Sequence, residues 1–302
     1  MSFPIYSAIG ARGAVYAPPA GSTYDNLANW PSVDNRPTFS GSTLSWIGPT
    51  GGGSSTTSDV AQQRVLSNVS SAISSSNGQV IEGLNIAGTL TINHDNVTVK
   101  QCRVYGGGYF PITFGSGVTG AVFEDCLFDG VGGTQYQGIS EGSFVTVRRC
   151  NLLNYENHIT GGVSNYTIVD CLFHAAAGPD ADMVECYGGS ADTLIQHNTF
   201  DGRDTNAGAA LNSAVNCSNY LGSVTNIQVI NNAFLSVTSA HVINDDNGFG
   251  GGAVSWSCQN NGFYNSTSHS RDDVAPSPNS GNFVMATTTG TSGSLVNGTG
   301  QI

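Results

Sequence analysis

Charged residues are scarce in this 302-residue chain. They make up 10% of it, Lys100 is the only lysine, and the formal net charge is −12. Because so acidic a chain offers few cations to phosphate groups, we expect neither a nucleic-acid nor a membrane partner. An acidic glycan would also be repelled unless a divalent cation bridges the two.

Long apolar runs are lacking as well. No segment approaches the length of a membrane span, and residues 1–16 show no basic leader followed by an apolar stretch. With no Sec-type signal peptide visible, we expect either a virion protein released by lysis or an extracellular protein whose leader was removed. Helix formers are few, whereas 40 glycines and many Ser, Thr and Asn residues are typical of turns and short strands.

A short phrase recurs between residues 97 and 263. In each copy, two apolar residues flank a polar one. They are followed by a Cys or Asn and then by a large apolar residue. Alternation with period two predicts a strand, and repeats of 21 to 34 residues predict a solenoid whose coils bury their apolar faces against one another. The solenoid should have about seven coils, with a Cys ladder and an Asn ladder. The ladder residues are Cys102, Cys126, Cys150, Cys171, Asn198, Asn232 and Asn261.

The seven cysteines show no CxxC or Cys/His spacing suited to a metal, and stacked parallel side chains lack the torsion that a disulfide needs. We therefore predict buried thiols.

The repeated phrase resembles the right-handed parallel β-helix of the pectate-lyase-like superfamily, in which an Asn ladder follows the second strand. The resemblance covers roughly residues 79–265, extends to phage tailspike and minor tail proteins, and implies an all-β fold. It does not fix an activity, because this architecture carries lyases, hydrolases, tailspikes and structural proteins.

Four segments follow from these patterns. Residues 1–57 are rich in Gly, Ser and Pro and are predicted to be an irregular arm. Residues 58–78 combine Asp59 and Gln62, as in a capping box, with apolar residues at helical spacing, which predicts a helix that caps the solenoid. The β-helix should occupy 79–265, and 266–302 should form an irregular tail.

The resemblance also implies where a substrate would lie: along the outside of the sheet built from the strand after each ladder phrase. If Ile112, Ile139, Ile159 and Val184 point inward, alternation places their neighbours outside. Tyrosines there could stack on sugar rings. The predicted substrate-binding residues are Tyr109, Tyr136, Ser140, Thr160 and Asp182.

A candidate catalytic group lies on the same face. It comprises Glu156, His158, Glu185 and Arg203. Two carboxylates could act as acid and base, or as nucleophile, in glycoside hydrolysis. Arg203 could instead abstract a proton beside a uronate carboxylate, as in the lyases that the chain resembles.

Two other interpretations of the acidic residues remain open. Asp180, Asp182 and Glu185 could hold Ca²⁺ through their oxygens, which makes Ca²⁺ the one cofactor considered. Alternatively, the carboxylates only solvate a strand surface.

Three functions fit these patterns. The first is a tail-associated virion protein that binds cell-surface polysaccharide and, if it is an enzyme, degrades it. Its expected partners are other virion proteins, and its expected oligomeric state is a homotrimer. The second is a free polysaccharide lyase or glycoside hydrolase. The third is a structural β-helix without catalysis.

Overall fold

In a computed structural model of the chain, the described residues are 31, 36–49, 59–106, 108–131, 137–162, 164–178, 180–203, 211–237, 243–246, 252–264, 270–272 and 276–284. They form strands, turns and bends. Within these ranges no helix is long and apolar enough to cross a membrane.

The strands are short. The first ten are β1 (Thr38–Ser40), β2 (Thr43–Pro49), β3 (Asp59–Val65), β4 (Ser67–Val69), β5 (Ala72–Ile73), β6 (Val80–Glu82), β7 (Leu84–Ile86), β8 (Leu90–Ile92), β9 (Thr98–Lys100) and β10 (Arg103–Tyr105). The next ten are β11 (Ile112–Phe114), β12 (Val122–Glu124), β13 (Leu127–Asp129), β14 (Gln137–Ser140), β15 (Thr146–Arg148), β16 (Asn151–Leu153), β17 (Asn157–Gly161), β18 (Thr167–Val169), β19 (Leu172–His174) and β20 (Ala181–Cys186). The last eleven are β21 (Ala191–Gln196), β22 (Thr199–Asp201), β23 (Leu211–Ser218), β24 (Val224–Ile230), β25 (Ala233–Leu235), β26 (Ile243–Asp246), β27 (Val254–Gln259), β28 (Gly262–Tyr264), β29 (Ser270–Asp272), β30 (Asn279–Ser280) and β31 (Phe283–Val284).

Three parallel sheets run along the molecule. Every third strand from β4 to β31 belongs to sheet I, every third strand from β5 to β29 to sheet II, and every third strand from β6 to β30 to sheet III. The chain therefore visits sheets I, II and III in turn and returns to sheet I one coil further on. This is the parallel β-helix that the sequence predicts, and the all-β prediction is confirmed.

The interior is built from columns of apolar side chains in register. In sheet I the rings of Phe173, Phe200, Phe234 and Phe263 stack with centroids 4.9, 5.0 and 5.1 Å apart and nearly parallel planes. This spacing matches the distance of about 4.8 Å between hydrogen-bonded strands. The coils are thus held together by ring stacking as well as by backbone hydrogen bonds.

The ladders form as predicted. All seven cysteines are buried thiols. In the Asn ladder, the backbone N–H and the side-chain amide of Asn198 both donate to Oδ1 of Asn232, at 2.9 and 3.1 Å. Asn232 donates in the same way to Asn261, at 2.8 and 3.0 Å. Each side chain therefore bonds to groups of the preceding coil and of the next one.

The stack extends beyond residues 79–265 at both ends. At the start, β4 pairs with β7 and β5 pairs with β8. At the other end, Oδ1 of Asn282 accepts from the backbone N–H of Asn261 at 2.8 Å, so the ladder gains a further member, and β31 pairs with β28. The predicted irregular tail is therefore partly regular, and residues 285–302 lie outside the described residues.

The helix predicted for residues 58–78 does not form. Instead β3 pairs with β2 in an antiparallel register that matches Asp59 with Pro49 and Val65 with Thr43. Two members of the predicted apolar stripe, Val65 and Ile73, are 70% and 63% exposed, so the stripe does not cap the core. Strand β2, which lies earlier in the chain, supplies the hydrogen bonds that a helix would have made locally.

Part of the predicted irregular arm is the antiparallel sheet β1–β2–β3. Its Leu44 and Trp46 are buried with Leu66 and Leu127, and the last of these lies on sheet I. Alternating apolar residues thus attach this sheet to the outside of the β-helix. The rest of the arm lies largely outside the described residues.

Candidate functional site

The outer face of sheet II carries two rows of polar side chains. One row places Ser140, Thr160, Glu185 and Asn216 in register on four successive coils. The second row places Asn157, Asp182 and Ser213 in register. Both rows are largely shielded from solvent, and Glu185 is the most accessible member of the first. Side chains on adjacent coils, about 4.8 Å apart, can therefore bond to one another.

Glu185 lies at the centre of this face. Its Oε2 accepts a hydrogen bond from Nδ2 of Asn157 at 2.8 Å and another from Oγ1 of Thr160 at 2.6 Å. Burial raises the pKa of Glu185, the Thr160 hydrogen bond lowers it, and the charge of Glu156 raises it further. The carboxylate is thus fixed in direction by two neutral donors and has a greater affinity for a proton than a free glutamate.

Asp182 lies three residues earlier on the same strand and is 3% exposed. Ser213 Oγ and Asn212 Nδ2 donate to its Oδ1, the latter at 3.2 Å, and Asn216 Nδ2 donates to its Oδ2 at 3.1 Å. Burial raises the pKa of Asp182 to about 7, although the three hydrogen bonds act in the opposite direction, and the charge of Glu185 adds to the rise. A proton therefore resides on this carboxyl group for part of the time at neutral pH.

Glu156 approaches the face from the corner before β17. Burial raises its pKa, while a hydrogen bond from the backbone of Asp180 lowers it. Its side chain packs against Gly178, where an added Cβ would lie only 2.9 to 3.0 Å from Glu156 atoms. Gly178 also has a φ of +108°, a conformation that favours glycine. The next coil therefore fixes where Glu156 can lie.

Two tyrosines lie where the sheet II strands end. Tyr187 follows β20 and Tyr220 follows β23, and their ring centroids are 6.5 Å apart at an angle of 56°. Burial and the charge of Glu185 raise the pKa of Tyr187, and an interaction with Thr160 lowers it. Tyr187 therefore borders the carboxylate site, while Tyr220 is half exposed. Sequence alternation missed both tyrosines, although their positions after equivalent strands repeat.

His158 does not lie on this face, and the prediction that it does is wrong. It is fully buried, its ring makes edge contacts with Tyr155 and Phe173, and its Nε2 lies 3.0 Å from the carbonyl oxygen of His174. Burial lowers the pKa of His158 to about 3. Both His158 and Ile159 point inward here, so alternation fails.

Arg203 is placed at the corner after β22 rather than beside Glu185. Its guanidinium donates to Asp201 at 2.8 and 2.5 Å, and this pairing raises the pKa of Arg203. Within the described parts of the chain, no ion pair joins it to Glu156 or Glu185. The local carboxylate two residues away holds it, so the predicted catalytic group of four does not assemble.

The predicted sugar-binding residues differ in where they lie and in how exposed they are. Tyr109 is 49% exposed and makes an edge contact with Phe110 at 4.6 Å. Ser140 and Thr160 are buried in the polar row, so Thr160 orients Glu185 instead of facing solvent. Tyr136 lies outside the described residues.

The Ca²⁺ site predicted at Asp180, Asp182 and Glu185 does not form. In the portion of the chain that the structure describes, no three His, Cys, Asp or Glu side chains are arranged to hold a metal ion. The oxygens of Asp182 and Glu185 instead accept hydrogen bonds from amide and hydroxyl donors of neighbouring residues.

Comparisons with known proteins give one structural likeness. No protein-family model matches the sequence, and no curated protein matches it. The fold is similar to the crystal structure of an alginate lyase from Paenibacillus sp. str. FPU-7, with a TM-score of 0.48 and 14% identity over 73% of this chain and 78% of that chain.

Proposed function

We propose that this protein binds polysaccharide on the outer face of sheet II, with Glu185 contacting the sugar. The observation that carries the proposal is a carboxylate oriented by two side-chain donors and bordered by an aromatic pair, Tyr187 and Tyr220. Carboxylates accept hydrogen bonds from sugar hydroxyls, and tyrosine rings pack against the apolar faces of sugar rings. The face repeats from coil to coil, which also suits a polysaccharide, because its sugar units repeat along the chain.

Affinity electrophoresis of the full chain in gels containing different polysaccharides tests this proposal. Glu185→Gln should weaken retention by about 10-fold to 100-fold, because hydrogen bonds to a charged group contribute about 1.5 to 3 kcal/mol. Glu82→Gln is the matched control, since Glu82 is an exposed carboxylate on sheet III, paired with Lys100 at 2.9 Å. Equal retention of wild type and Glu185→Gln on every polymer would refute the assignment of the site.

Hydrolytic cleavage is a second candidate, favoured by the raised pKa values of Asp182 and Glu185. Asp182, which is buried beneath the face, would have to reach the glycosidic oxygen to donate its proton as the bond to the leaving sugar breaks. Glu185 would take a proton from the water that attacks the anomeric carbon, which leaves one new reducing end. Since a donor with a pKa of about 7 loses its proton above neutrality, turnover should fall at alkaline pH.

A reducing-end assay on the polymers that are retained tests this candidate. Asp182→Asn should abolish new reducing ends while binding persists. Reducing ends that carry the ultraviolet absorbance of an unsaturated sugar would indicate a lyase and overturn the hydrolytic assignment.

Association with a virion and a trimeric state, both expected from the sequence, stay predictions. Sedimentation of the purified protein tests the oligomeric state, and peptide mass spectrometry of purified phage particles tests the virion association.

A further inference from the structure

We propose that the site takes a glycan whose rings carry no carboxylate groups, either neutral or bearing amino groups; this inference rests on the proposed function. It follows from where the few cations of the chain lie. A site for uronate polymers must neutralise one carboxylate for each uronate ring, with Arg, Lys or a bridging metal ion. On β20, which carries Glu185 and Asp182, and on its neighbours β17 and β23, the described residues include no Lys or Arg and no three His, Cys, Asp or Glu side chains arranged to hold a metal ion.

Most cations are held by carboxylates elsewhere. Six of the nine Lys and Arg residues form ion pairs away from the sheet II face, and a seventh, Arg36, donates to the carbonyl oxygen of Asp170 at 2.5 Å. The pairs are Arg64 and Lys100 with Glu82, Arg103 with Asp129, Arg148 with Glu124, Arg149 with Asp125, and Arg203 with Asp201. Moving any of these cations to a uronate would break an interaction that it makes within the protein.

Among the described strands of sheet II, Arg271 in β29 is the one Lys or Arg. Successive register pairs connect Glu185 to Asn216, Asn244 and then Arg271, so Arg271 lies three coils away. At about 4.8 Å per coil this is about 14 Å along the sheet, beyond the screening length of about 8 Å at physiological ionic strength. The coil that carries Arg271 is therefore well separated from the coil that carries Glu185.

The partners of the site carboxylates are neutral. Glu185 accepts from an amide and a hydroxyl group, and Asp182 accepts from two amides and a hydroxyl group. The pKa values of both groups are raised, as expected where like charges and burial act without a cation. A uronate placed here would add a further negative charge, whereas hydroxyl or ammonium groups would supply donors.

Binding of the full chain to four polymers tests the inference: dextran, partially deacetylated chitin, alginate and polygalacturonate. With EDTA present and at about 0.05 M salt, we expect one of the first two to bind at least about tenfold more tightly than either uronate polymer. Binding to an amino-sugar polymer should weaken strongly in about 1 M salt, whereas binding to a neutral polymer should not.

Variants separate the site from the general acidity of the chain. Glu185→Gln should reduce binding of the preferred polymer, and Glu82→Gln, which removes the same charge from sheet III, should not. Uronate binding that equals or exceeds the others, with EDTA or only with added Ca²⁺, would overturn the substrate class and leave the proposed function standing. Failure of all four polymers to bind would overturn both the substrate class and the proposed function.

Discussion

Stability in mildly acidic solution should depend on two buried groups that act in opposite directions. The pKa of Asp182 is raised to about 7, so the native protein keeps a proton that the unfolded chain has released. The pKa of His158 is lowered to about 3, so the native protein excludes a proton that the unfolded chain binds. Between the two unfolded-state values, 3.8 and 6.5, their effects on the free energy of unfolding should nearly cancel.

The magnitudes follow from proton linkage. Each group changes the free energy of unfolding by about 1.4 kcal/mol per pH unit while only one state is protonated. The contribution of Asp182 is fully present below pH 3.8 and is lost as the pH rises to about 7, a change of at most about 4 kcal/mol. The contribution of His158 is fully present above pH 6.5 and is lost as the pH falls to about 3, at most about 5 kcal/mol.

Single substitutions should expose each slope. Asp182→Asn should lose stability steeply as the pH falls below 6.5, because the opposing effect of Asp182 is then absent and the effect of His158 remains. His158→Phe should instead lose stability as the pH rises from about 4 to about 7, because Asp182 then dominates. Urea unfolding followed by circular dichroism at about pH 4.5, 5.5 and 6.5 measures the slopes.

Lost hydrogen bonds or altered packing shift the stability of each variant by a constant amount and leave its slope unchanged. Glu185 and Glu156, whose pKa values are also raised, act alike in all three proteins. Identical pH slopes in wild type and both variants would refute the reasoning.

Two further predictions concern the arm and the corner beside the site. Trp46→Ala should lower stability by about 3 to 5 kcal/mol, because the indole is buried against sheet I, and urea unfolding checks this; a neutral result would show that the antiparallel sheet is not docked. Gly178→Ala should displace Glu156 and weaken polysaccharide retention, as measured by affinity electrophoresis, whereas Gly117→Ala, at a similarly positive φ with open space around it, should not.

The ladders could be predicted from sequence because one residue type recurs at one place in every coil. Cys126 and Asn232 each follow a strand of strict alternation, so a repeat of two or three dozen residues is enough to identify the column. The antiparallel sheet could not be predicted in this way. The partner of β3 is β2, which lies earlier in the chain, and the local pattern after Asp59 fits a helix until that partner is known.

Of the residues predicted for the site, Asp182 and Glu185 lie in the polar rows of sheet II, whereas His158 lies in the interior. On β20 both Met183 and Val184 are buried in the core, so the outward residues Asp182 and Glu185 are three apart rather than two. The same spacing separates Asn157 from Thr160 on β17. Strict alternation therefore assigned His158 and Met183 to the outside, and only the packed interior reveals the extra inward residue.

Because each site carboxylate is held by donors from neighbouring coils, the site depends on the register of the stack. The chain from Glu185 to Ser213 passes through Asn198, whose Oδ1 accepts from the backbone N–H of Cys171 and whose amide donates to the carbonyl oxygen of Ile168. Asn198→Leu should lower stability by about 1 to 3 kcal/mol, since these groups lose their partners. It should also weaken polysaccharide retention, because Ser213 and Asp182 belong to the two coils that Asn198 joins.

Asn261→Leu is the matched control for this prediction. Asn261 makes the equivalent bonds, to Asn232 and to the carbonyl oxygen of Val229, but in the coil beyond β26, away from Asp182. Its loss should cost a similar free energy of unfolding while retention stays near that of wild type. Retention measured well below both unfolding midpoints separates the two effects, and an equal loss of binding in both variants would mean that general loosening of the stack, rather than register at the site, governs recognition.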